Sequence, residues 1–73
     1  MAVAISQEVV IAKAKELGAT EFRDGTNWAW CCNFPTRLCA EDFTRWLDQE
    51  GYEHRGVYPP DRGCLWSVRY RSG

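Results

Sequence analysis

Three residues divide this chain before anything else about it is considered: Gly18, Pro35 and Gly51 each stop a periodic segment. Glycine reaches the left-handed conformation that closes a helix, and proline cannot donate to a strand ladder. The segment before Gly18 sets Val10, Ala14 and Leu17 at helical spacing. The segment before Gly51 does the same with Cys39, Phe43, Trp46 and Leu47. Helix one is therefore expected from a Ser6 cap, with an Ile5–Val10 staple, to about Leu17, and Lys13 and Lys15 suit its C-terminal end. Helix two is expected from near Leu38 or Cys39 to Glu50.

The segments after each helix alternate instead. Phe22-Arg23-Asp24-Gly25-Thr26 reads as a hairpin turn, after which a strand covers about Thr26 to Phe34 and ends at Pro35. A two-residue turn at Asp24-Gly25 would put Phe22 on the face opposite Trp28. A three-residue loop with Gly25 left-handed pairs Phe22 with Thr26 and keeps the aromatic side chains together, so this second register is the expected one. Tyr52–Tyr58 and Cys64–Arg71 make another hairpin across the turn-rich Pro59–Gly63. The order αββαββ predicts an α+β fold. It consists of a small single-layer antiparallel or mixed sheet of about four strands with two helices packed on one face, residues 1–73 forming one compact domain.

A chain of 73 residues buries only roughly 60% of the surface that its unfolded form exposes, so large side chains must supply the core. Four Trp, three Tyr and three Phe are available. No stretch approaches the ~20 apolar residues of a membrane span, and the opening MAVAISQE has neither the basic start nor the apolar run of a signal peptide. The reading is a cytoplasmic protein, with no membrane partner, whose cysteines are thiols.

The stretch WAWCCNF concentrates two tryptophans and two adjacent cysteines. Period two puts Trp28, Trp30, Cys32 and Phe34 on one face and Ala29, Cys31 and Asn33 on the other. Joined to Phe22, Phe43, Trp46 and Trp66, the first set is the expected core. Cys31 then faces solvent and should react with a thiol reagent that Cys32 escapes.

Little in the chain looks like chemistry. Cys31, Cys32, Cys39, Cys64 and His54 could ligate zinc, yet no two of them have the knuckle spacing of a structural site, and neighbouring strand residues point apart. No metal site and no cofactor are expected. Cys39 near a helix start is the one redox feature, and its place beside Phe43 reads as core. His54 and Cys64 on adjacent strands would need an orienting group that the sequence does not supply. There is no phosphate loop, so the chain is read as a protein without catalytic activity.

Charge is more informative. The net charge is −1, which argues against a surface that attracts nucleic acid all round. Its distribution is uneven: Glu41, Asp42, Asp48 and Glu50 outweigh Arg45 in helix two, whereas Arg55, Arg62, Arg69 and Arg71 outweigh Asp61 beyond His54. In the last strand Cys64, Trp66, Val68 and Tyr70 alternate with Leu65, Ser67, Arg69 and Arg71. With the first set in the core, the second faces solvent, and parity brings Arg55 beside it with Glu53 and Val57 alongside. The candidate binding residues are Arg55, Arg62, Arg69, Arg71 and Tyr58. Glu41, Asp42 and Asp48 form a second, acidic surface, with Glu41 and Asp42 in the first turn of the helix.

The expected function is a non-catalytic protein-binding module, a stoichiometric inhibitor or adaptor of a larger protein or ribonucleoprotein complex. Size and absence of chemistry, without any residue pattern, suggest a phage counter-defence protein such as an anti-CRISPR protein. The alternative is a single-stranded nucleic-acid-binding domain that uses the arginine face. Overall acidity favours the protein partner. A zinc-binding domain stands behind both.

Overall fold

The computed structural model describes residues 6–25, 27–61 and 65–71, the side chains of Ser6, Gln7 and Asp24 excepted. The Ser6 cap and Ile5 staple, Thr26, Arg62, Gly63 and Cys64 thus lie outside what is described. The elements run α1 (Ser6–Glu16), β1 (Glu21–Asp24), β2 (Trp28–Phe34), α2 (Arg37–Glu50), β3 (His54–Tyr58) and β4 (Trp66–Arg71). This is the expected αββαββ order, with β2, β3 and β4 each shorter than the expected segment.

Both helices end as their glycines predict. Gly18 has φ 105°, and the amides of Ala19 and Gly18 donate to the carbonyls of Ala14 and Lys15 at 3.0 and 2.9 Å. Gly51 closes α2 in the same way at φ 85°, with Tyr52 donating to Leu47 at 2.9 Å. At the other end of α2 the Thr36 hydroxyl accepts from the Cys39 amide at 3.2 Å, so the helix begins at Arg37. Glu41 and Asp42 consequently fall in its second turn, not its first. They sit too far along to complement the N-terminal dipole.

The four strands pair antiparallel in the order β1-β2-β4-β3. β2 and β3 both oppose β4 and so run parallel to each other, which makes β2–α2–β3 a split βαβ unit. The core lies between one sheet face and the helices. Val10 and Ala14 of α1 and Ala40, Phe43 and Leu47 of α2 meet Ala29, Cys31, Phe34, Val68 and Tyr70. Aromatic packing dominates it: Phe43 lies 5.3 Å from Phe34 and edge-on to Tyr70 at 6.4 Å, and Tyr52 stacks on Trp46 at 6.2 Å. No described helix is long and apolar enough to cross a membrane.

Two bulges reset the alternation on which the face assignments depend. In β2 the register shifts between Cys31 and Phe34, where Asn33 takes φ 67°. Phe34 and Cys31 therefore share the core face despite their odd separation, and Ala29 lies with them. Trp28, Trp30 and Cys32 turn to the opposite face. This overturns the expected assignment, which counts back from Phe34 at period two. The Asn33 side chain holds the bulge, accepting from the Leu65 amide at 3.0 Å. In β3 the shift falls between His54 and Val57, with Gly56 as the extra residue. Val57 turns to the core and Tyr58 to the open face, the reverse of strict alternation.

The first hairpin also departs from the expected register. Arg23 opposes Trp30 and Asp24 opposes Ala29, leaving a longer connection than either the two-residue turn or the three-residue loop. Phe22 opposes Cys31 and packs against the core, on the side away from Trp28 and Trp30. The core does not need the tryptophans, because α2 and Tyr70 already fill it with rings.

Candidate functional site

The sheet face turned away from the helices gathers what the core leaves out. Trp30 stands between Arg23 on β1 and Arg69 on β4, and Trp28 opposes Arg71. Cations and aromatic rings therefore alternate across the strands. The Arg69 guanidinium carbon lies 4.2 Å from the Trp30 ring centroid and 5.0 Å from that of Tyr58. Arg55 reaches across β4 to 4.7 Å from Trp28, which Arg71 also approaches at 5.7 Å, and Arg23 is 5.9 Å from Trp30. Each contact is worth about 0.5–1 kcal/mol at an exposed position.

The arginines differ in their counter-ions. Arg23 places Nε and Nη2 at 3.0 and 2.7 Å from one oxygen of Glu21. Arg71 stands 3.9 Å from Glu53. Among the described residues, Arg55 and Arg69 have no carboxylate within ion-pair distance. A guanidinium seated on a ring still has its N–H donors to offer an anion.

One end of this face is hollow. A cavity of about 610 Å³ opens between the Trp30–Arg69–Tyr58 group and the Pro59-Pro60-Asp61 segment, with Cys32 and Ser67 also on its lining.

Of the residues expected to bind a partner, Arg55, Arg69, Arg71 and Tyr58 come together here, and Arg62 lies outside the described residues. Arg23, Trp28 and Trp30 join them without having been expected. The one signal for them is the two-residue hairpin turn, whose parity gives Phe22 and Trp28 opposite faces. The acidic set is elsewhere, on α2, and is engaged. Glu41 meets Arg37 at 2.8 Å, Asp42 meets Arg45 at 2.9 Å and Asp48 meets His54 at 3.0 Å. The first two are spacings native to a helix surface.

The other candidate chemistry is occupied structurally. His54 Nδ1 accepts from the Gly56 amide at 3.0 Å, which leaves Nε2 to donate to Asp48 and ties β3 to the end of α2. Cys31 is 1% exposed and Cys32 2%, so the expected reactivity of Cys31 is overturned: its side chain is core. Burial pushes the Cys31 thiol up to about 12, and the neighbouring Cys32 adds to the effect. Cys31 and Cys32 point to opposite faces and cannot share a metal, and among the described residues no three His, Cys, Asp or Glu side chains converge on one point. Cys39 is half-buried against the core.

No protein-family model, characterised protein or solved structure gives a significant match to this chain.

Proposed function

We propose that the protein is a non-catalytic binding module of the cytoplasm that works through the open face of its sheet, and that its ligand is single-stranded nucleic acid. The observation that carries this reading is the seating of Arg55 and Arg69, two cations without a carboxylate partner among the described residues, on Trp28, Trp30 and Tyr58. Single strands are held by such alternation, because phosphates need uncompensated cations and unpaired bases need rings or guanidinium planes to stack on. A duplex hides its bases and gains only the charge term. The overall acidity that speaks against nucleic acid belongs largely to α2, on the other side of the sheet, where Glu41 and Asp42 are matched within the helix.

Fluorescence anisotropy with short labelled oligonucleotides tests the reading. Contacts to about two to four phosphates give a single strand a salt slope near −1.4 to −2.8, so affinity should fall about 7- to 50-fold between 50 and 200 mM salt. Arg55→Ala with Arg69→Ala should weaken binding and flatten that slope. Trp28→Ala should weaken binding and leave the slope alone. Absence of binding to any single-stranded RNA or DNA at low salt, or equal affinity for a duplex, would overturn it.

The second reading keeps the same face and changes the ligand. Arg, Trp and Tyr are also the favoured anchors of protein interfaces, which supports an inhibitor or adaptor of a larger complex, the class to which anti-CRISPR proteins belong. Capture of one large partner at fixed stoichiometry after nuclease treatment, lost on Trp30→Ala, supports this reading over the first.

A further inference from the structure

The hollow end of the open face is more specific than the face as a whole, and its assignment rests on the nucleic-acid reading. Two guanidiniums, Arg23 and Arg69, approach a single ring, Trp30, at 5.9 and 4.2 Å, and Arg69 also lies 5.0 Å from the Tyr58 ring centroid. Both arginines line the cavity of about 610 Å³, which Pro59 and Pro60 wall with rigid apolar surface. Sites for small organic ligands occupy roughly 300–1,000 Å³ and combine apolar walls with a few placed polar groups. Phosphate chemistry is satisfied by Arg69, whereas Arg23 is held by Glu21 at the rim, and a planar base is suited by Tyr58 and the proline rings. Asp61 is the one carboxylate among the described lining residues, and it can only accept hydrogen bonds when ionised.

We infer that this cavity takes one nucleotide of the bound strand, with its phosphate on Arg69, its base against Tyr58 and Pro59, and the base's amino edge toward Asp61. A carboxylate accepts from an exocyclic amine such as cytosine N4. It repels the two carbonyl oxygens that flank the single N–H of uracil. Cytidine monophosphate should therefore bind more tightly than uridine monophosphate, by about 5-fold or more within the 1–3 kcal/mol typical of a discriminating base contact.

The test is titration of the full chain with cytidine and uridine monophosphates and with inorganic phosphate, followed by amide and indole NMR shifts. Expected are shifts at Trp30, Tyr58, Ser67 and Arg69 with cytidine monophosphate, weaker ones with uridine monophosphate, and loss of the preference in Asp61→Asn. Equal affinity of the two nucleotides for the unaltered protein would overturn the inference, as would inorganic phosphate binding as tightly as either, or shifts centred on Trp28 and Arg71. Binding of oligonucleotides without any cavity shifts from a mononucleotide sinks the inference and leaves the broader reading standing. Cavity binding with the cytidine preference, but no oligonucleotide affinity, does the opposite.

Discussion

Arg69 covers Trp30 from the neighbouring strand, its guanidinium carbon 4.2 Å from the ring centroid. The pair is directly opposed in the β2–β4 register, so the contact fastens the two central strands together from the open side. A double-mutant cycle of Arg69→Ala and Trp30→Leu in urea denaturation should give a coupling of about 0.5–1 kcal/mol. A coupling near zero would mean that the two side chains lie together without holding each other.

Cys31 should ignore a thiol reagent in the folded protein. In a Cys64→Ser background at pH 8, half-buried Cys39 should label first, with Cys31 labelling only as urea unfolds the chain. Its titration also has a signed consequence for stability. Because the folded thiol is raised to about 12 from an ordinary 9.0, both states keep the proton below pH 9 and stability is unaffected there. Between pH 9 and 12 the unfolded thiol ionises and the folded one does not, so stability falls with rising pH, by up to about 1.4 kcal/mol per unit. Cys31→Ala should be less stable at pH 7 and lose stability less steeply above pH 9. Equal alkaline slopes in the two proteins would contradict the burial of that thiol.

The bulge in β2 gives Asn33 a conformation that β-branched residues avoid. Asn33→Val should cost about 1–2 kcal/mol from its positive φ alone, and more from the lost bond to the Leu65 amide. Asn33→Gly keeps the conformation and loses only the side-chain bonds, so it should be the milder change. The order is read by thermal or urea midpoints. If valine proves the milder of the two, the strand does not bend at this residue.

The two cap glycines differ in surroundings and should differ in tolerance. A methyl group on Gly18 would stand 2.6 and 2.9 Å from the Pro35 ring carbons, whereas one on Gly51 meets nothing within 4 Å. Gly51→Ala should cost about 1–2 kcal/mol, the strain of the left-handed backbone. Gly18→Ala adds overpacking of about 1–3 kcal/mol against a ring that cannot rotate away. Equal midpoints for the two variants would remove Pro35 from the packing of the α1–β1 turn.

Much of this fold is legible in the sequence wherever the determinants are local. The Gly18 and Gly51 caps, the Phe43 and Leu47 stripe and the order of elements follow from neighbours within a turn or two. The outward position of Arg69 and Arg71 is also legible, because β4 alternates without interruption. β2 misleads for a physical reason: its parity changes at Asn33, and a bulge adds a residue without any change in composition. Asparagine's tolerance of positive φ is the only available hint. Val57 is misplaced in the same way by the extra Gly56. In each case a single residue exchanges the two faces, so a correct list of aromatic residues leads to a wrong division of them.

The position of β4 affects how the protein can be made. β4 leaves the ribosome after β1, β2 and β3, yet it lies between β2 and β3, which have no ladder with each other. At synthesis rates of about 5–20 residues per second, the β1–β2 hairpin waits seconds for the strand that joins it to β3. Arg69 and Arg71 arrive with it, so the sheet and the arginine–aromatic layer on its open face are completed by the same late event. Any fragment that stops short of Trp66 would leave the β1–β2 hairpin and β3 without a common sheet and Trp30 without Arg69.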